Sequence, residues 1–306
     1  LNSKSEHFYS NGKLLLTGEY LVLDGALSLA VPTKFGQSMD IQKIEDQKIV
    51  WNSLDDKGKV WFKDVFLISD IVTDSNGHQN DISNRLLQIL KTAKKQNPNF
   101  LADLKGYNIT TKLGFPKNWG LGTSSTLINN IANWAKVDAY ELLEKTFGGS
   151  GYDIACAHHN TPILYQRIEN NPTIKEVSFE PLFKDCLYFV YLNKKQNSRN
   201  AIATYRDNSH DLSVELLKIN DITKKMVSCT DFTEFQKLIN FHETILSRIL
   251  HQQPIKEKLF SDFEGSIKSL GAWGGDFVMV VSKKNPSDYF KSKGFETLLT
   301  YDDMVK

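Results

Sequence analysis

A chain of 306 residues, 41% hydrophobic and 24% charged, has the make-up of an ordinary globular protein, one large domain or two closely packed ones. With 37 basic and 36 acidic residues its formal net charge is +1, so global charge gives no reason to expect a nucleic-acid or membrane partner. No stretch approaches the ~18 consecutive apolar residues of a membrane helix. The polar residues Leu1–Tyr9 lack the apolar core of a signal peptide. Cys156, Cys186 and Cys229 are widely spaced, odd in number and form no C-x-x-C pair, so neither a disulfide framework nor a zinc ribbon is indicated; a cytoplasmic protein with reduced thiols is expected. The lysines of Lys91–Lys95 and Lys194–Lys195 read as solvated surface.

In chain order, Leu14–Leu16 and Tyr20–Leu23 are apolar runs separated by Thr17-Gly18-Glu19 and closed by Asp24-Gly25, which predicts two short strands. Ser28–Pro32 and Gln37–Ile41 read as further strands. Lys48–Trp51 and Lys59–Phe62 flank Asp55-Asp56-Lys57-Gly58 and predict a hairpin. From Asp81 to Gln96 the period becomes helical, with Ile82, Leu86, Ile89, Leu90 and Ala93 recurring before Asn97-Pro98 stops the run. Tyr107–Leu113 alternates as a strand, which makes the sequon Asn108-Ile109-Thr110 a chance match. A helix starting near Ser124 carries Leu127, Ile128, Ile131 and Trp134 on one face. Ile163–Ile168, Cys186–Leu192 and Phe277–Val281 read as strands; Leu212–Val227, Phe232–Leu250 and Ile255–Leu270 read as helices. The class is α+β, with strands concentrated early and helices late, and no internal repeat or linker.

The segment Pro116–Thr126 joins a predicted strand to a predicted helix. Its glycines let backbone approach an anion closely, and the helix behind it aims free N–H groups and a positive dipole end at the same place. Hydroxyls follow that can bond phosphate oxygens or a Mg²⁺ ion. Neither G-x-x-x-x-G-K-[ST] nor a complete G-x-G-x-x-G is present. The same residues also suit a glycine turn followed by Ser/Thr capping.

P-x-x-x-G-L-G-T-S-S, from Pro116 to Ser125, resembles the second motif of the GHMP kinases, named for galactokinase, homoserine kinase, mevalonate kinase and phosphomevalonate kinase. Ser10–Gly25 resembles the first motif and Gly271–Phe277 the third, in the family's order across nearly the whole chain. The resemblance implies a two-lobed fold with a ribosomal-protein-S5-like N-terminal half and a ferredoxin-like C-terminal half. It divides the chain into an ATP-binding domain at 1–175 and a C-terminal domain at 176–306. It also implies ATP, Mg²⁺ and a small-molecule acceptor; the sequence leaves the oligomeric state open between monomer and homodimer.

Residue by residue, Gly120, Leu121, Gly122, Thr123, Ser124 and Ser125 would hold ATP, and Ser124 would also reach Mg²⁺. Gly148–Ala157 is similar to the S-G-x-D motif of mevalonate and phosphomevalonate kinases. This makes Asp153 the residue that orients or deprotonates the acceptor hydroxyl, with Ser150 beside the substrate; Asp153 also suits the N-cap of a helix starting at Ile154. Lys13 matches a cation beside that Asp, where it would stabilise charge on the transferred group. Glu19 is motif-matched on the substrate side, with a role in shaping the site. Glu144, with Glu141 behind it, is nearest to the family's metal carboxylate, although the interval from Gly122 to Ser150 is short for the family. Trp273 stands where relatives carry glycine, and Trp119 adjoins the phosphate loop; either indole packs on a ligand or in the core. His158-His159 lacks a third residue at metal-ligand spacing and reads as structural. Arg199 matches a substrate-side element, with Lys194 and Lys195 as weaker cations for a phosphorylated acceptor; Arg167 also suits plain strand surface.

G-E-Y-L-V-L-D-G, G-S-G-Y-D-I-A-C-A and Leu164-Tyr165-Gln166-Arg167 look most like phosphomevalonate kinase, with mevalonate kinase second. The sugar-reading G-R-x-N-L-I-G-E-H-x-D-Y of galactokinase is absent. The implied activity is transfer of the ATP γ-phosphate to a mevalonate- or phosphomevalonate-like acceptor. The rivals are another small alcohol or sugar, a related decarboxylase, and a nucleotide-binding relative without transferase activity.

Overall fold

Asp55 turns the chain at the predicted hairpin: its Oδ1 accepts the N–H groups of Lys57 at 3.0 Å and Lys59 at 2.8 Å, while Gly58 takes φ 78°. Asn80 starts the first long helix by accepting the N–H of Ile82 at 2.8 Å. Lys94 and Lys95 face its negative end, and Lys94 Nζ donates to the Pro98 and Phe100 carbonyls beyond it. The computed structural model describes residues 5–73, 80–169, 171–196, 198–207 and 211–306, without the side chains of 198–200.

The elements are β1 (Glu6–Leu15), a 3₁₀ turn (Leu21–Asp24), β2 (Ser28–Ile44), β3 (Lys48–Leu54), β4 (Val60–Leu67), α1 (Ile68–Val72), α2 (Asp81–Gln96) and β5 (Gly106–Leu113). Next come α3 (Thr123–Ala135), α4 (Ala139–Thr146), α5 (Tyr152–His158), β6 (Ile163–Ile168), β7 (Asn171–Glu176) and β8 (Leu187–Tyr191), with a 3₁₀ turn at Lys184–Cys186. The chain ends through α6 (Ser198–Asp207), α7 (Ser213–Val227), α8 (Phe232–Leu250), α9 (Ile255–Leu259), β9 (Ser266–Ser269), β10 (Phe277–Val281), α10 (Ser287–Ser292), β11 (Leu298–Thr300) and α11 (Tyr301–Met304).

Two compact units result, each assembled from separated segments. The first comprises Leu1–Gly12, Phe35–Lys117 and Leu121–His158. In it β4, β3, β5 and the later part of β2 lie side by side. β4 is antiparallel to β3 and β5 to β2, whereas β3 runs parallel to β5, which requires the crossover that carries α2. Ile49, Trp51 and Ile109 from the sheet meet Leu86 and Leu90 of α2 and Ile128 and Ile131 of α3 in one core. Trp134 closes it edge-on against Phe100 and Tyr107, with ring centroids at 4.6 and 5.2 Å.

The second unit comprises Lys13–Lys34, Asn118–Gly120 and His159–Lys306. Here Ser28–Ala30 of β2 pairs antiparallel with β6, and β6 with β7. A separate antiparallel sheet has the order β11-β8-β10-β9. Every residue of β8 and β10 is buried, which is why both read as unbroken apolar runs. α8 and α9 pack on β9, and α7 packs on α8.

The α+β class holds, and α2, α8, β6 and β10 have the expected bounds. Three expectations are corrected. Tyr20–Leu23 is no strand: Tyr20 takes φ 63°, and Leu21–Asp24 coils as a 3₁₀ turn with Leu21 and Val22 buried, a short apolar run fitting either form. Ser28–Pro32 and Gln37–Ile41 belong to one strand, β2; the Pro32 carbonyl accepts the Lys306 N–H at 3.0 Å. Ile255–Leu270 is not one helix, since α9 ends at Leu259 and Ser266–Ser269 becomes β9, paired with β10.

Gly106 opens β5 where a Cβ would come within 1.8 Å of the Asp46 carbonyl oxygen. Gly106→Ala is expected to destabilise by about 3 kcal/mol, read as a lower urea midpoint with an unchanged m-value.

Candidate functional site

In the first unit, Gly122 takes φ 95° and opens α3 without any side-chain cap, and no carboxylate lies in the first turn. The first N–H groups of the helix are therefore donors without intrahelical acceptors, at an uncompensated positive end. The hydroxyls behind them divide. Ser125 Oγ donates back to the Gly122 carbonyl at 2.9 Å, and Thr126 Oγ1 donates to Gln37 Oε1 at 2.7 Å, so both brace the loop. Ser124 is exposed, and Thr123 is half-buried.

α3 packs against both α4 and α5. Asp153 is half-buried in the first turn of α5; the helix begins at Tyr152 rather than Ile154, so Asp153 is inside it and not its N-cap. Ser150, just before, is buried. Glu144 and Glu141 are exposed on α4, and Glu141 pairs with Lys145. Among the described residues no group of three acidic, His or Cys side chains is placed to hold a metal ion.

In the second unit, Lys13 ends β1's polar stretch, and its Nζ donates to the Gly120 carbonyl at 3.1 Å. Gly120 takes φ 70°, and a Cβ there would lie 2.5–2.7 Å from the Asp276 carboxylate. Asp276 is 9% exposed and itself has φ 52°. Its Oδ1 accepts the Gln196 N–H at 3.2 Å, and its own N–H donates to the Lys194 carbonyl at 2.7 Å. Burial pushes the Asp276 carboxyl up, against the pull of Lys13 and, more weakly, Lys195. The indole of Trp119 packs on Phe277 and Tyr191, at 5.4 and 6.4 Å between centroids. Trp273 is buried, its backbone N–H donating to Tyr20 Oη at 3.3 Å and its carbonyl accepting from Gln196 Nε2 at 3.0 Å. Lys194 and Lys195 are exposed, and Arg167 is half-buried on β6. The Arg199 side chain lies outside the described residues.

The first motif is held from below by charge. Glu19 is 1% exposed, and its Oε1 accepts a hydrogen bond from Lys268 Nζ on β9, also buried. Burial pushes the Glu19 carboxyl up, and Lys268 opposes that. His242 of α8 accepts the Gly18 N–H on Nε2 at 3.0 Å. Burial and the charge of Lys268 hold this imidazole well below its usual range. It is therefore neutral with its proton on Nδ1, and its 3.4 Å approach to Glu19 Oε2 is a packing contact, not an ion pair. Burial drives the neighbouring Glu243 carboxyl up to about 8. On the far side, Tyr205 Oη donates to Asp24 Oδ2, and Tyr205 packs on Tyr20 at 5.4 Å.

Sequence reasoning missed Lys268, His242 and any separate role for Asp276. A lysine between Ile267 and Leu270, two residues buried in the fold, was the only signal available, because a lysine buried there needs an acidic partner.

No family model matches the chain, and no curated protein sequence does. Solved structures do. The mevalonate kinase of Methanococcus jannaschii is 16% identical with a TM-score of 0.73, over 98% of this chain and 98% of its own. The phosphomevalonate kinase of Streptococcus pneumoniae, in complex with phosphomevalonate and AMPPNP, is 16% identical with a TM-score of 0.71, over 96% and 99%. The galactokinase of Lactococcus lactis, complexed with galactose, is 15% identical with a TM-score of 0.65, over 95% and 88%. The chain has the fold of these GHMP kinases, as its three motifs implied.

Two outcomes test the buried cluster. Lys268→Met strands a buried carboxylate and is expected to cost about 3–5 kcal/mol, with Glu19→Gln added to it recovering a large part, read from urea unfolding of both variants. Glu243 binds its proton to about pH 8 in the folded chain but only to about 4.5 when unfolded. The folded state thus holds the extra proton in that window, and stability falls as pH rises through it before levelling off. Glu243→Gln should remove that fall, so that its advantage over wild type grows with pH through the window to an upper bound on the order of 5 kcal/mol by pH 8.

Proposed function

We propose that the chain is an ATP-dependent kinase that transfers the γ-phosphate to the hydroxyl of a small acceptor of the mevalonate or phosphomevalonate kind. The observation that carries this reading is the start of α3, with a left-handed glycine, no side-chain cap and no carboxylate in the first turn. A helix start left this bare suits a polyanion. Two of its hydroxyls are committed to bracing the loop, which leaves Ser124 facing solvent as the oxygen this chain offers to a magnesium ion arriving with the nucleotide. Bound magnesium would neutralise phosphate charge.

The remaining roles follow from phosphoryl transfer, which needs positioning and charge neutralisation more than covalent chemistry. Asp153 receives or orients the acceptor's hydroxyl proton, and Lys13 supplies positive charge beside the phosphate loop. Ser150 and Arg199 serve the acceptor side, and Glu144 is the carboxylate nearest to the metal role. Glu19, buried under the first motif, acts by holding its shape. The motifs G-E-Y-L-V-L-D-G and G-S-G-Y-D, and the absence of the galactokinase motif, support an isoprenoid-precursor acceptor over a sugar.

The test is ADP release with mevalonate, phosphomevalonate, homoserine and several sugars as acceptors. Acceptor-dependent ADP is expected with one of the first two; release with none of them would overturn the reading. With the active acceptor, Asp153→Asn should lower turnover about 100-fold or more while leaving AMPPNP affinity within about threefold. Near-normal turnover would remove Asp153 from the chemistry.

A further inference from the structure

We propose that the second unit carries a small-anion site of its own, in the cavity between the α8–α9 connection and the end of β9. The cavity has a volume of about 310 Å³ and is lined by Gln252, Gln253, Ile255, Lys258, Ser269 and Gly274. All six residues belong to the second unit, and the kinase reading gives none of their side chains a role, so the site stands apart from it. Backbone bonds set the loop that presents the two glutamines. His251 closes α8 at φ 51°, and the Gln252 N–H donates to the Ser247 carbonyl at 3.1 Å. Ser247 Oγ donates in turn to the Gln252 carbonyl at 2.6 Å, tying the loop to the last turn of α8. Pro254 then starts α9, and the Lys258 N–H reaches back to the Pro254 carbonyl at 3.1 Å.

Ser269 points to a ligand. It is 2% exposed, it lines the cavity, and its hydroxyl has no hydrogen-bond partner. A buried hydroxyl left in that state is costly, and a polar molecule in the cavity would satisfy it. The sign of that molecule follows from the other walls. Lys258 brings an ammonium, Gln252 and Gln253 bring amide N–H donors, and among the described residues no acidic side chain lines the cavity. Glu243 lies beside Ser269, but burial drives its carboxyl up to about 8, so at neutral pH it carries no charge to repel an anion. Four donating side chains and one positive charge suit a carboxylate or phosphate group. The space, at the small end of ligand pockets, limits the molecule that bears it to a small one.

Inorganic phosphate and succinate are each titrated into the full chain at neutral pH, and binding is measured by calorimetry for wild type, Lys258→Met, Ser269→Ala and Lys284→Met. Lys258 is exposed, so its replacement leaves the fold intact. Lys284 is also exposed and does not line the cavity, so its variant controls for the loss of one positive charge. At least one probe is expected to bind with a Kd of about 1 mM or below. Lys258→Met and Ser269→Ala should each weaken it about fivefold or more, with Lys284→Met within about twofold of wild type. Binding of phosphate alone marks the ligand as phosphorylated, and binding of succinate alone marks it as a carboxylate; either result keeps the site. No binding of either probe at about 20 mM would dismiss it. So would binding that either cavity substitution leaves unchanged, or an equal loss in Lys284→Met, because the anion would then be held elsewhere.

Discussion

The buried pair of Glu19 and Lys268 is the constraint on which the second unit is arranged. Both charges are fully withdrawn from water, so each is tolerable only while the other is in place. That condition ties the turn after β1 to β9. Strand β9 is in turn paired with β10, whose end leads back to the glycine-rich third motif. His242 adds a neutral hydrogen bond to Gly18, and Tyr20 takes the Trp273 N–H. A pair of this kind contributes little net stability compared with apolar residues of equal size. What it does supply is register, since sliding β9 by one residue would send Lys268 to the opposite face and leave Glu19 uncompensated.

Around the phosphate loop, residue types sort by what the backbone leaves undone. The glycines take the left-handed turns; Ser125 and Thr126 spend their hydroxyls on the loop itself; Ser124 and the first N–H groups of α3 keep theirs. The arrangement fixes these donors by the protein's own backbone and side-chain hydrogen bonds. On α5, Asp153 stands in a first turn behind a bend in which Gly148, Gly149 and Gly151 all take positive φ.

The loop was legible in the sequence because its chemistry is local. Left-handed turns select glycine, helix starts select small hydroxyl residues, and both leave their mark within a dozen positions at Pro116–Thr126. α2 and α8 were legible because a buried stripe repeats every three or four residues. Lys268 was not, since its reason for being buried lies in a distant segment and a lone lysine reads as surface. Asp276 looked like one more letter of a glycine motif; its left-handed backbone and its contact with Gly120 exist only once the chain has folded. Tyr20–Leu23 and Ile255–Leu270 misled for a related reason. Short apolar runs state that a segment is inside and leave its form to its neighbours.

The 249-residue separation between Glu19 and Lys268 also has a consequence for biogenesis. At roughly 5–20 residues per second, translation makes the lysine about ten to fifty seconds after the glutamate. For that interval the nascent first motif carries an acid with no buried counter-ion, and water keeps it solvated and open. The turn after β1 thus gains its buried counter-ion only after β9 has emerged, so a ribosome-bound fragment lacking β9 holds the motif in sequence and lacks it in shape.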